Sequence, residues 1–292
     1  MTTTPGANPA AAPAANPAAG ARQPGGYSSP LPTPRPHLGH ALASEWTKLT
    51  SVRSTLWTLG SLVALVVGIG LIAVSQTTSR DYEQLPFTAP AVFGLMIGQI
   101  AVMVLGVLTV SSEYGTGLIR STFTASPGRL RVLTAKYLVL GTAAFCVTLG
   151  AVAVVGIAAA LVHNGPAAGH HGWSEWASAL AGCFYVTLLG VLALAVGALV
   201  RHSAGGIAVM LGVVTMPPVL GAIMTAWPAS EAVGMVVVRY NAPMGLVQLF
   251  GVPNSGMDGS RTPSDLAQLG LLVLVTAAAV AASYAVVRRR DV

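Results

Sequence analysis

The residues of this chain that could carry out chemistry are few, and their spacing speaks against nucleotide hydrolysis. A phosphate-binding loop of the G-x-x-x-x-G-K-[ST] type needs a lysine that is followed by Ser or Thr. Lys48 and Lys136 are the two lysines, and they are followed by Leu49 and Tyr137. We therefore predict that the chain is not an enzyme, and that any ATP-driven action uses a motor in another polypeptide.

Three histidines, His163, His170 and His171, are close together and could bind a metal ion through their imidazole nitrogens. Glu175 is the one carboxylate near them, and no cysteine lies in the same segment. We expect solvated histidines and predict no metal site. Ser, Thr and Tyr residues lack a His or Lys base at a recognisable spacing, so no nucleophile for covalent catalysis is predicted either.

The composition indicates that these residues are carried by helices in a lipid bilayer. Of the 292 residues, 53% are apolar and 8% are charged, whereas a soluble domain has roughly 25% charged residues. The two cysteines, Cys146 and Cys183, lie in apolar runs, which excludes a disulfide framework and a four-thiolate metal site. The predicted fold class is an all-α integral membrane protein.

Six apolar stretches are long enough to cross the ~30 Å hydrocarbon core as helices. With the N-terminus in the cytoplasm, 12 of the 15 basic residues lie in cytoplasmic segments. Because Lys and Arg near spans are retained on that side, we predict a multi-pass protein of the cytoplasmic membrane with both termini inside. The predicted spans are about 55–74, 91–110, 138–161, 178–200, 205–227 and 266–287.

Residues 1–36 differ from the rest because they hold 9 of the 19 prolines in an Ala, Asn and Gly background. Such a segment buries too little apolar surface to offset the entropy of ordering. We predict a disordered cytoplasmic tail that acts as a spacer. The remaining residues, 37–292, are predicted to form one six-span domain.

The centres of the predicted spans contain no Asp, Glu, Lys, Arg or His. Ion-driven carriers usually need an ionisable group near mid-membrane, so a secondary carrier is disfavoured. The most polar residue inside a span is Gln99, beside the G-x-x-x-G pair of Gly94 and Gly98. Such a pair allows two helices to approach closely, and we expect packing within the chain.

Residues 38–53, just before the first span, predict a helix that lies in the membrane interface. Glu45 and Arg53 fall on its apolar face, so headgroups, water or a protein partner must satisfy their charges. The apolar positions fall within an arc of roughly 120°, and they are Leu38, Leu42, Trp46, Leu49 and Val52.

Residues 111–137 predict a stiff cytoplasmic connection between spans two and three. The second span is predicted to end at 111–113, and Gly115 and Gly117 permit a turn. Ser126-Pro127 is typical of a helix start, and a helix from Pro127 to about Leu161 would be ~52 Å long and project from the membrane. A basic cytoplasmic loop is the alternative, although it leaves the cap and the glycines unexplained.

Residues 228–265 form the longest outer segment. Its apolar stretches, 233–238 and 243–250, are too short to span. They predict interfacial or re-entrant helices, and an ordinary amphipathic loop helix remains the alternative.

At these positions the sequence resembles the permease subunits of type-2 ATP-binding-cassette (ABC-2) transporters. The resemblance lies in the run 44–49 with Arg53, in the run 113–117 with Arg120, and in Ser126-Pro127 through Arg129 and Arg131 to Lys136. It covers about 37–292.

The resemblance implies an N-terminal elbow helix, a cytoplasmic coupling helix around 117–125, and re-entrant helices before the last span. It implies a second permease copy, identical or related, and two cytosolic ATPase subunits that bind the ATP and magnesium, with no cofactor in this chain. The ATPase-docking and coupling residues would be Glu45, Lys48, Arg53, Glu113, Gly117, Arg120, Pro127, Arg129, Arg131 and Lys136.

We therefore expect a permease subunit, an exporter of an unidentified substrate, with small side chains and Gln99 in span two as candidate substrate contacts. A membrane anchor that recruits a cytosolic protein without transporting anything is the second hypothesis, and a secondary carrier is the third. The bilayer is a partner in every case, and we expect no nucleic-acid partner.

Overall fold

The computed structural model of this protein describes residues 37–117, 128–252 and 265–289. Within those residues the chain forms nine α-helices, two short 3-10 turns and no strand. The predicted tail, 1–36, lies outside the described residues. The helices are α1 (Leu38–Ser51), α2 (Arg53–Gln76), α3 (Pro90–Thr116), α4 (Arg129–Val162), α5 (Trp173–Val200), α6 (Ser203–Thr225), α7 (Glu231–Arg239), α8 (Ala242–Leu249) and α9 (Asp265–Arg289).

Six of these helices, α2 to α6 and α9, are long and apolar enough to cross a membrane. The prediction of an all-α protein with six such helices is confirmed, and each helix overlaps one predicted stretch. Helices α3 and α5 are the most buried of the six, whereas α2, α6 and α9 keep large apolar faces exposed. The core is therefore built around α3 and α5.

Small residues bring α3 and α5 together. A methyl group added at Gly106 of α3 would collide with the backbone carbonyl of Gly190 in α5, and one at Gly197 would lie 2.8 Å from the carbonyl oxygen of Val107. Because such approaches leave no room for a Cβ atom, the two helices pack at nearly backbone-to-backbone distance.

Helix α3 extends beyond the predicted end of the second span, and α4 is described from Arg129 onward. Helix α3 does not stop at 111–113 but continues through Gly115 to Thr116, where Gly117 ends it with a φ of 71°. Glycine adopts this left-handed conformation without a steric cost. Helix α4 begins at Arg129 after Gly128 and has 34 residues, about 51 Å of helix. The predicted cap, Ser126-Pro127, and most of the predicted coupling helix lie outside the described residues.

Helix α1 is separated from α2 by a single extended residue, Val52. The side of α1 that packs on the rest of the chain is centred on Glu45, its one fully buried residue. The apolar residues Leu38 and Trp46 stay exposed. We call the end of the helix bundle where α1 packs the α1 end.

Two short helices, α7 and α8, occupy the segment between α6 and α9. Helix α7 folds back along the end of α6, where Gly234 lies close to the Gly221 carbonyl and the Thr225 amide. Phe250, just after α8, is fully buried against Gly182 of α5. The two helices are therefore part of the packed structure and do not form an open loop.

Candidate functional site

Lys136 is the most buried charged residue that the structure describes, and it lies two turns into α4 at the α1 end. Its side chain is 3% exposed. Its Nζ donates to Glu45 Oε2 at 2.8 Å and to Glu113 Oε1 at 2.7 Å, with the Thr109 carbonyl oxygen 3.4 Å away. A single lysine therefore joins α1, α3 and α4.

Lys48 completes the arrangement from the solvent side. Its Nζ donates to Glu45 Oε1 at 2.8 Å and to Glu113 Oε1 at 3.0 Å, while 41% of its side chain is exposed. We call Glu45, Lys48, Glu113 and Lys136 the charge cluster. It holds two carboxylates and two ammonium groups, so its formal charge is zero, and burial is tolerated because each charge has a partner.

Local structure explains why these four residues meet. Residues 45 and 48 lie one turn apart on α1 and so share a face. Helix α3 reaches the cluster because it continues beyond the apolar stretch to Thr116. Glu45, which the sequence placed on an apolar face without a partner, is satisfied by lysines of the same chain.

The surroundings of Lys48 change its proton affinity. Burial lowers the pKa of Lys48, but the hydrogen bonds to Glu45 and Glu113 and the attraction of both carboxylates outweigh it. The net effect is a pKa above the ordinary value of 10.5. Because ion pairing favours the charged ammonium form, Lys48 stays protonated at physiological pH.

A cavity of about 480 Å³ opens beside the charge cluster, between α1, α2, α3 and α4. Its wall is mainly apolar, with hydroxyl groups from α2 and α3. Glu113 contributes a carboxylate oxygen, Oε2, that is buried and has no hydrogen-bond partner. The site therefore combines a filled set of ion pairs with one unsatisfied acceptor.

The other residues predicted for docking are distributed around the α1 end. Arg53 is exposed at the first position of α2, and Gly117 ends α3. Arg129 and Arg131 are half-buried in the first turn of α4. Arg120 and Pro127 lie outside the described residues. Glu45, Glu113 and Lys136 are buried, so these three predicted docking residues do not form an exposed surface.

Arg201 is a residue of the α1 end that the sequence did not single out. It ends α5 with a φ of 57°, unusual for a residue other than glycine, and its guanidinium lies 5.0 Å from the centre of the Tyr114 ring. Its Nε and Nη2 are buried without a hydrogen-bond partner. The sequence does show an arginine directly after an apolar span. Because flanking arginines are common at span ends, this feature did not distinguish Arg201 from an ordinary flanking charge.

The weaker candidates in span two pack inside the chain. Gly94 faces the backbone of α2, where an added methyl would lie 2.5 Å from Val66 Cα, and Gly98 faces Leu62. Gln99 is buried, and its amide donates to the Met96 carbonyl oxygen at 3.0 Å, while Oε1 has no partner.

The three histidines considered as metal ligands, His163, His170 and His171, lie at the opposite end of the bundle, and two of them make separate contacts. The His163 ring contacts the Val74 carbonyl oxygen at 3.1 Å, and His171 contacts Glu175 at 2.5 Å. In the described ranges, no three His, Cys, Asp or Glu residues are close enough together to hold a metal ion.

In the charge cluster both ammonium groups are paired with both carboxylates, and the ion pairs connect α1, α3 and α4. Comparison with models of known protein families finds no match, and comparison with curated proteins finds none either. Geometry and sequence pattern are therefore the grounds on which a function can be proposed.

Proposed function

We propose that this chain is the membrane-spanning permease subunit of an ABC-2 type transporter. It exports a substrate across the cytoplasmic membrane with ATP that a separate cytosolic subunit hydrolyses. The observation that carries this proposal is the charge cluster, because it ties the N-terminal helix, the end of α3 and the start of α4 into one unit. In this proposal the chain forms the pathway for the substrate, and ATP hydrolysis in another protein drives the transport.

The coupling follows from where the ion pairs lie. The connection between Gly117 and Arg129 joins the ends of α3 and α4, both of which the charge cluster holds against α1. A push on that connection cannot move one helix alone, because buried ion pairs resist separation in a medium of low polarity. The force is carried along α4, whose 34 residues extend to the opposite end of the bundle.

Charge distribution supports a cytoplasmic position for the α1 end. Lys48, Arg53, Arg129, Arg131 and Arg201 all lie at this end, and basic flanks are retained in the cytoplasm. In this orientation α1 is the elbow helix, with Trp46, half of it exposed, at the depth of the lipid headgroups. The coupling helix at 117–125 lies almost wholly outside the described residues and remains part of this proposal.

The outer end has the features expected of re-entrant helices. Phe250 packs on Gly182, which lies nine residues into α5, about 13 Å along that helix. The predicted span begins at about 178, so Gly182 lies roughly 6 Å inside it. An apolar side chain packed there favours a segment that dips into the bilayer over one that lies on its surface. Helices α7 and α8 then line the outer exit of the pathway.

A second permease copy would pack against α6. Exposed apolar residues follow one another along α6 at alternating spacings of four and three: Val209, Val213, Met216, Leu220 and Ile223. This is the heptad spacing by which two helices interlock. Any exposed face of an apolar helix has this spacing, and Val154, Ile157 and Leu161 of α4 show it too. The row on α6 is the longest one of large exposed apolar side chains in the described residues, so we assign the dimer contact to it.

The test is reconstitution of the partnership. The full chain, tagged at its C-terminus, is purified in mild detergent from cells of its source, and the preparation is assayed for ATP hydrolysis and for a protein with a phosphate-binding loop. We expect both, and we expect Arg129→Glu with Arg131→Glu to lose them. Arg239→Glu, at the opposite end, is the matched control and should keep both.

Transport distinguishes the permease from the membrane anchor. Vesicles that contain the chain and its ATPase should accumulate substrate only with ATP. If the ATPase binds and hydrolyses but no candidate substrate ever moves, the chain is an anchor. If uptake follows an ion gradient in the absence of ATP, it is a secondary carrier. The lack of any associated ATPase would contradict the proposal outright.

A further inference from the structure

The cavity beside the charge cluster has polar groups that its own walls leave unsatisfied. Glu113 is nine-tenths buried, and its Oε2 accepts no hydrogen bond although its Oε1 accepts two. An ammonium group has three N–H donors, and Lys48 uses two of them. The charge cluster therefore holds one unsatisfied acceptor, buried in the cavity wall, and one unused donor.

A second donor site borders the cavity at the start of α2. Val52 gives this helix no side-chain cap, and Ser54 and Thr55 of its first turn lie on the cavity wall. The Thr55 amide already donates to the Val52 carbonyl oxygen at 3.1 Å, which leaves the Ser54 amide at the cavity wall. The first amides of a helix have no internal partner and carry partial positive charge. Such a helix end favours an anion, most often a phosphate.

Between these polar groups the cavity wall is apolar. Leu105 and Leu108 of α3 and Val139 and Leu140 of α4 line it. The volume of about 480 Å³ falls in the range of roughly 300–1,000 Å³ for small-ligand pockets. The cavity lies at the ends of apolar helices, where lipid headgroups and chains meet in a bilayer.

We propose that this cavity binds a lipid with a phosphoethanolamine headgroup. Its ammonium group donates to Glu113 Oε2, and its phosphate lies at the start of α2 near Lys48. The first carbons of its acyl chains lie along the leucine and valine wall, and the rest of the chains extend into the bilayer. The headgroup carries one positive and one negative charge, and the site has a partner for each. Glu113 is an acceptor for the ammonium group, and the start of α2 favours the phosphate, beside a cluster of zero net charge. This inference stands apart from the transport proposal and does not require an ATPase.

Other occupants satisfy fewer of these groups. A choline headgroup has no N–H to donate to Glu113, although it carries the same phosphate and chains. A lone phosphate would leave Glu113 unsatisfied and would be repelled by it. A lone amine would be repelled by Lys48 and Lys136. The primary amine and the phosphate are therefore both needed.

The experiment is native mass spectrometry of the full chain, purified in detergent, delipidated and titrated with defined lipids. The lipids are dioleoyl phosphatidylethanolamine and dioleoyl phosphatidylcholine, which differ only in the amine. We expect one ethanolamine lipid per chain, bound about tenfold or more tighter than the choline lipid, since a hydrogen bond to a charged group is lost in the latter. Equal affinities would overturn the proposal.

Two matched variants place the site. Thr58 lines the cavity and donates to the Ser54 carbonyl oxygen at 2.8 Å, while Thr215 on the exposed side of α6 donates to the Leu211 carbonyl oxygen at 2.7 Å. Thr58→Phe fills the cavity and should abolish the preference, whereas Thr215→Phe loses the same kind of bond and should retain it. Unchanged selectivity in Thr58→Phe would place the site elsewhere. If that variant does not fold, Leu108→Trp fills the cavity from the opposite wall.

The source of the headgroup is tested with glycerophosphoethanolamine, which has no acyl chains. It should fail to displace the lipid at equal concentration, because the apolar wall supplies much of the affinity. Displacement as effective as that by the lipid would show a site for a soluble phosphoethanolamine compound and would overturn the lipid proposal.

Discussion

Lys136 and Glu45 are 91 positions apart in the sequence, yet Lys136 Nζ lies 2.8 Å from Glu45 Oε2 in a buried ion pair. The pair fixes α1 to α4 at one register. A helix that floats in the membrane interface would be free to slide, whereas α1 is held by its one fully buried residue. The N-terminal helix is therefore mechanically part of the bundle.

Removal of Lys136 should be severely destabilising. Lys136→Met leaves the buried Glu45 and Glu113 with only the half-exposed Lys48 as a cation, and we expect a loss of about 3–5 kcal/mol in the free energy of unfolding. Chemical denaturation in detergent micelles measures it. Lys48→Met is the control and should cost clearly less, because Lys136 still pairs both carboxylates. Equal losses would contradict the assigned roles.

Alkaline pH should weaken the same site. The pKa of Lys48 is raised above 10.5 in the folded chain, so its ion pairs stabilise the fold fully below that value and are lost as pH rises through the folded pKa. We expect the free energy of unfolding to fall more steeply above pH 10.5 in the unmodified chain than in Lys48→Met. Subtracting the curve of Lys48→Met from that of the unmodified chain removes the contributions of other titrating groups, such as Tyr82. Parallel curves would refute the assignment.

The contact between α3 and α5 should not tolerate a methyl group. Gly106→Ala collides with the Gly190 carbonyl, and overpacking of this kind costs about 1–3 kcal/mol. Gly150→Ala is the matched control, because nothing lies within 4 Å of a methyl group there and alanine gains up to ~1 kcal/mol in helix propensity. In thermal unfolding, Gly106→Ala should melt at a lower temperature than the unmodified chain and Gly150→Ala at a higher one. A stabilised Gly106→Ala would show that α3 and α5 are further apart.

The proposed orientation is open to direct labelling. In a Cys146→Ser background, Gly115→Cys, at an exposed position of α3 with open space around it, should react with a membrane-impermeant maleimide only after the cells are opened. His170→Cys, at the opposite end of the bundle, should react in intact cells. Cys183 is buried and gives little background. The reverse pattern would place the charge cluster outside and remove the basis for a cytosolic motor.

The proposed second copy predicts a cross-link along α6. In the same background, Val213→Cys should form a disulfide-linked dimer in native membranes treated with copper phenanthroline. Val63 on α2 is also exposed and apolar but lies outside the proposed contact, so Val63→Cys should stay monomeric. Equal cross-linking at both positions would indicate random collision, and none at Val213 would exclude this face as the contact.

Much of the fold was accessible from the sequence, because a membrane span depends on the summed hydropathy of about 20 consecutive residues. All six long helices were predicted on that basis. The ends were less accessible. Helix α3 continues to Thr116, beyond the predicted end of span two at 111–113, because polar residues can continue a helix until a residue such as Gly117 adopts positive φ.

The sequence by itself determined which segments are helical and apolar, and that Glu45 lies on a face where its charge needs a partner. Only the tertiary structure decided that the partners are Lys48 and Lys136, that Glu113 joins them, and that a cavity remains beside them. The reason is physical: hydropathy and helical period are properties of neighbouring residues, whereas an ion pair depends on the register of helices far apart in the chain.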